Sequence, residues 1–147
     1  MPPDHATTVL PARPARPPQT FSLPRANQAL VLVRKVVADI VARYAELMDL
    51  RKERDEALGT PGEPERTQEL GELIGQRVAE LNRLNRELLT IGCVLKDWRV
   101  GLVDFPAERD GERVWLCWRL GEPTVGHWHG LEEGAAGRRP VNGEQFD

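Results

Sequence analysis

Cysteine is scarce in this 147-residue chain: Cys93 and Cys117 are the only two. Two thiols cannot frame a small disulfide-stapled domain, and a reducing compartment fits them better. Aromatic residues make up only 5 %. No run of apolar residues approaches the length that spans a bilayer. The start of the chain lacks the charged and apolar regions of a secretory signal. A basic excess is missing too, with 20 Lys and Arg against 23 Asp and Glu and a net charge of −3. That balance speaks against non-specific nucleic-acid binding. No glycine-rich phosphate loop, Rossmann fingerprint, CxxC or HExxH occurs. The expectation is a soluble cytoplasmic protein of one domain, with no cofactor assigned and no membrane or nucleic-acid partner.

What is present is unevenly spread. Residues 1–20 hold six of the twelve prolines and a repeated Ala-Arg-Pro (Ala12–Pro14, Ala15–Pro17). Such a stretch cannot bury enough apolar area to offset its ordering entropy, so it reads as a disordered tail. A single domain over 21–141 follows, and 142–147 read as a flexible C-terminus.

Two helices open the domain, as a hairpin over 22–91. Ser22 is a natural N-cap and Pro24 suits a first turn. Ala26, Leu30, Val33, Val37, Ile40, Tyr44 and Leu47 recur at alternating intervals of four and three, a helical seam. Val36, Val41 and Met48 widen it beyond one partner helix, which points to a second layer or a second subunit. Gly59–Pro64 is a turn by composition, with Thr60 and Glu63 as a possible capping box. Leu70, Leu73, Ile74, Val78, Leu81, Leu84, Leu88 and Ile91 form the apolar face of the second helix, which Gly92 ends.

After Gly92 the period changes to alternation. Strands are expected at about 93–98, 101–105, 113–120 and 124–128, a meander over 93–130, with Asp110-Gly111 as a hairpin turn. In VWLCWRL one face carries Val114, Leu116, Trp118 and Leu120. The other carries Trp115, Cys117 and Arg119. Both faces are apolar, so both must be covered. From Glu132 the chain reads as irregular. The fold class is α+β, a long antiparallel helical hairpin packed with a small C-terminal antiparallel β-sheet, and a homodimer is the first guess for its assembly.

The stretch Cys93–Arg139 also concentrates the chemistry. It holds all four tryptophans, both cysteines and two of the three histidines. Its motifs KDWRVGLVDFP (Lys96–Pro106), VWLCWRLGEP (Val114–Pro123), GHWHG (Gly126–Gly130) and GRRP (Gly137–Pro140) resemble an uncharacterised bacterial family, domain of unknown function 2203. FSLPRANQAL (Phe21–Leu30) is similar to the start of that family's first helix. The resemblance spans about 21–141. It implies no activity, but it marks Asp104, Phe105, Cys117, Trp118, Glu122, Trp128, His129 and Arg138.

Three chemistries use these residues. Asp104 sits between Val103 and Phe105, where a carboxylate needs a partner such as Arg119 or Arg138, or a raised pKa. Cys117 could serve as a nucleophile with His129 as base and Glu122 as orienter. His127 and His129 project to one side of an extended segment. With Asp104, Glu122 or Cys117 they could hold Zn²⁺ or Fe²⁺. The candidate site is therefore Asp104, Cys117, Trp118, Glu122, Trp128, His129 and Arg138, with no metal assigned. The expected role is an oligomeric binding or scaffolding module with a polar site in its β-rich half. The alternative is a small enzyme, a metal-assisted hydrolase for example, using Asp104, Glu122 and His129.

Overall fold

The computed structural model describes residues 19–147. All but the last two residues of the expected Pro/Arg tail lie outside the described residues. Helix α1 runs Leu23–Leu58 and α2 runs Pro64–Ile91. At 1.5 Å per residue they are about 54 Å and 42 Å long. Ser22 caps α1, its Oγ accepting from the Arg25 N–H at 3.3 Å. The capping box at Thr60 does not form. Gly62 takes φ +90°, so the turn continues to Glu63 and Pro64 becomes the first helical residue. The Thr60 hydroxyl instead donates back to the Glu56 carbonyl. Gly92 closes α2 with φ +114°, a conformation that costs glycine little. Among the described residues no helix is long and apolar enough to cross a membrane.

Five antiparallel strands follow in meander order: β1 (Val94–Asp97), β2 (Leu102–Arg109), β3 (Glu112–Arg119), β4 (His127–Gly130) and β5 (Arg139–Pro140). Asp110 and Gly111 both have positive φ, as a two-residue hairpin turn requires. Strand β4 lies three residues later at its start than the alternation suggested. Thr124 and Val125 are not in the sheet. Val125 is pinned to α1 instead, its N–H donating to Asn27 Oδ1 at 2.8 Å. The two-residue β5 was not expected, since the sequence there reads as irregular.

The sheet's inner face lies on α1. Val103, Phe105, Leu116 and Trp118 are fully buried there, and Phe21 meets Phe105 edge-on at 5.2 Å. Gly101 sits so close that a Cβ would come within 2.8 Å of Val37 and Leu120. Val37 and Val41, part of the wide seam, are thus covered by the sheet of the same chain.

The residues expected to be flexible at the C-terminus are tied down. Phe146 is buried against Trp128, with ring centroids 6.1 Å apart. The Asp147 N–H donates to the Glu108 carbonyl at 2.9 Å, and Glu108 N–H donates back to Asp147. Strand β1 pairs with β2 only as far as Asp104. Beyond it the Phe21 N–H donates to the Pro106 carbonyl. Three separate segments therefore cover one edge of β2, which leaves little of it open to another chain.

Candidate functional site

The register places the candidate side chains. Asp104 is opposite Cys117, and Cys117 is opposite His127. Trp115 is opposite both Pro106 and His129. Paired residues project to the same side of a sheet, and alternate residues share it. Asp104, Cys117, His127 and His129 therefore all lie on the outer face, away from the helices. Trp118 and Trp128 lie on the inner face. Trp118 is core, its indole N–H donating to the Glu122 carbonyl at 3.0 Å. Trp128 is stacked between the guanidinium groups of Arg109 and Arg139, 4.6 Å and 4.5 Å from its ring centre. Neither ring takes part in the polar cluster.

At the centre of the outer face is the pair Asp104–His129. Both Asp104 oxygens lie 3.0 Å from His129 Nε2. The other ring nitrogen, Nδ1, is 2.9 Å from the Gly130 carbonyl. A carbonyl only accepts, so Nδ1 carries a proton. Nε2 then either carries a second proton and faces a carboxylate, or is bare and faces a protonated acid. Exposure is 1 % for Asp104, 0 % for Cys117 and 3 % for His129. Burial pushes the Asp104 carboxyl above its ordinary value, while His129 and the Cys117 hydrogen bond pull against that. The Asp104 partner is thus His129. Arg119, an alternative from the sequence, is exposed and gives only its backbone N–H to Glu122, at 2.8 Å.

Cys117 adjoins this pair. Burial, with the Asp104 charge beside it, pushes the Cys117 thiol up to about 12. An activated nucleophile needs the opposite shift. Both His129 nitrogens are already engaged, so no ring nitrogen is left to take a proton from sulfur. The Cys–His nucleophile of the sequence reading lacks this geometry. Among the described residues the ligand atoms of Asp104, Cys117 and His129 all lie within 4.8 Å of one another.

A second group borders the first. Arg138 donates to Glu122 at 2.6 Å and its guanidinium also reaches the Cys117 sulfur. Burial would raise the Glu122 carboxyl, but Arg138 and the Arg119 N–H outweigh it and hold Glu122 below the usual range. His127 faces Glu122 at 3.7 Å, and its Nδ1 is buried with no hydrogen-bond partner. The sequence thus brings Asp104, Cys117 and His129 to one point and Glu122 and Arg138 to its border.

Two contributors escaped the sequence reading. Lys96 lies over the Trp115 ring, 4.7 Å from its centre, close enough for its charge to act on Asp104. Its place was legible only from the pairing of Val94 with Asp104, which puts the side chain two residues on along the same face. Glu133 accepts from the Gly130 N–H at 2.8 Å and binds Arg139 at 2.6 Å. It holds the turn after His129, and an acid three residues beyond a glycine was the available signal.

These features define a helical hairpin capped by an antiparallel meander, with a buried Asp–Cys–His cluster on the meander's outer face. The chain belongs to the family described as uncharacterized conserved protein (DUF2203), whose model matches residues 19–141. No curated protein and no solved structure matches it.

Proposed function

We propose that this protein is a non-catalytic binding module whose site is the outer-face cluster of Asp104, Cys117 and His129, bordered by Glu122 and Arg138. The observation that carries this reading is convergence under burial. Three groups that can each lose a proton meet in a place almost closed to solvent. Keeping such groups buried is costly unless they are mutually satisfied or hold something. A catalytic reading needs room for a substrate beside Asp104 and His129, and their 1 % and 3 % exposure leaves none. A species no larger than an ion or a water suits the site. The free, buried thiols fit a reducing compartment, and a cytoplasmic location is part of the proposal.

Scaffolding by self-association is the second half of this reading. Part of the wide seam that suggested it, Val37 and Val41, packs against Gly101 of the same chain. What favours a second copy is the adjacent pair Val31 and Leu32 on α1, 66 % and 54 % exposed.

The binding reading is tested on the full chain after incubation with the small-molecule filtrate of a cell extract. Native mass spectrometry should show a non-covalent adduct on the wild type. Asp104→Asn, folded by circular dichroism, should lack it. A wild type that stays at the bare chain mass would make the cluster purely structural.

A further inference from the structure

We infer that Asp104, Cys117 and His129 form a three-donor site for a divalent transition-metal ion, with zinc as the best match. The inference rests on the reading of this cluster as a binding site and names its ligand. The donor set is one carboxylate, one thiolate and one imidazole, a mixture that suits zinc. Tetrahedral bonds of about 2.0–2.3 Å set donor separations of roughly 3.3–3.8 Å. The three ligand atoms already lie within 4.8 Å of one another, with His129 Nε2 3.0 Å from Asp104. Seating an ion needs only small side-chain movements.

The hydrogen bond behind the histidine points the same way. Nδ1 gives its proton to the Gly130 carbonyl, which fixes the tautomer whose Nε2 lone pair is the ligand. Metal-bound histidines are oriented by this kind of outer contact. Charge is consistent as well. A 2+ ion with Asp104 and Cys117 ionised and His129 neutral sums to zero, which a buried site tolerates. Arg138, which reaches the Cys117 sulfur, is matched by Glu122 at 2.6 Å and adds no net charge beside the ion, while Lys96, whose charge acts on Asp104, stands over the Trp115 ring. Three strands supply one ligand each: β2, β3 and β4. An ion there would lock the centre of the meander. His127 stands outside the three-donor group, although it lies on the same face opposite Cys117.

The test is titration of the metal-free full chain with Co²⁺, followed by displacement with Zn²⁺. Saturation at one equivalent is expected, with a thiolate-to-cobalt charge-transfer band in the near ultraviolet and the visible bands of a four-coordinate ion. Cys117→Ser should abolish the charge-transfer band, while Cys93→Ser should keep it. Outer contacts alone are worth about 10–100-fold in affinity, so Asp104→Asn should weaken binding at least that much. His127→Ala should leave the affinity unchanged. A folded wild type that gives no charge-transfer band, or a band that survives Cys117→Ser, overturns the inference. If the band is missing while the extract adduct still depends on Asp104, the ion is wrong and the binding site stands. If both are missing, both readings fall.

Discussion

The Asp104–His129 pair is asymmetric, and the asymmetry is measurable. Removing His129 leaves a carboxyl at 1 % exposure without its main partner. A stranded buried charge costs about 3–5 kcal/mol, and His129→Ala should lose that much in urea denaturation of the metal-free protein. Asp104→Asn is a different case. The amide N–H can donate to Nε2 while Nδ1–H still donates to Gly130, so every polar atom keeps a partner. Its cost should be about 1 kcal/mol, the scale of one exchanged hydrogen bond. Equal losses for the two variants would mean that the pair is not arranged this way. Glu122 sets the acid limb. Its folded pKa lies below its unfolded one, because Arg138 and a backbone N–H outweigh its burial. The unfolded state therefore takes up the proton first. The contribution is full above the ordinary glutamate value of about 4.3 and is lost as pH falls through the lower folded value. Glu122→Gln should flatten that loss in denaturation curves taken between pH 6 and pH 3, a range of about three units around the carboxylate values. The burial of Asp104 was legible in the sequence, because an acid between Val103 and Phe105 in a strand faces either a core or a cover. Its partner was not. Asp104 is opposite Cys117, and His129 is opposite Trp115, so the contact is diagonal across three strands. No local pattern specifies the registers that create it.

At the scale of the elements, the last six residues act as a clasp. Phe146 fills the space beside Trp128 and Asp147 pairs with Glu108. Phe146→Ala should cost about 3–5 kcal/mol, the range for truncating a buried ring. Thermal or urea unfolding gives the value, and a change under about 0.5 kcal/mol, the range of ordinary surface substitutions, would mean that the clasp is not closed in solution. Gly101 is the other sensitive point, with φ +75° and Val37 and Leu120 at 2.8 Å from a virtual Cβ. Gly101→Ala should lose about 2–4 kcal/mol from strain and overpacking together. Both helices were legible because their apolar spacing runs for many turns and is closed by Ser22 and Gly92. The hairpin β2–β3 was legible from Asp110-Gly111. Strand β5 and the clasp were not. Arg139–Pro140 is too short to show a period, and Phe146 is a lone apolar residue in a polar stretch. Val125 misled the alternation because its burial comes from α1 through Asn27, and not from the sheet.

The whole molecule joins a hairpin and a sheet through one buried layer, and its parts carry different optical reporters. Trp98, Trp115, Trp118 and Trp128 all lie in the β-rich half. Far-ultraviolet circular dichroism is dominated by the two helices of 36 and 28 residues. The sheet's inner face and the α1 seam share Phe21, Val37, Phe105 and Trp118 in one continuous core. Neither half can expose that layer without a large loss, since burying apolar area contributes about 25 cal/mol per Å². The α1–α2 contact beyond the sheet rests on Leu47, Leu70 and Ile74. There Arg43 pairs with Glu80 at 3.5 Å and Arg77 with Glu46 at 3.2 Å across the helices, and partly exposed pairs of that kind contribute little. Tip and sheet should therefore unfold together. Tryptophan fluorescence and circular dichroism followed through one urea titration should give the same midpoint and slope. Separated transitions, with fluorescence changing first, would show the hairpin standing without its sheet. The same titration tests the ion. Zn²⁺ that binds only the folded chain must shift both curves together, whereas a shift in fluorescence alone would confine its effect to the meander.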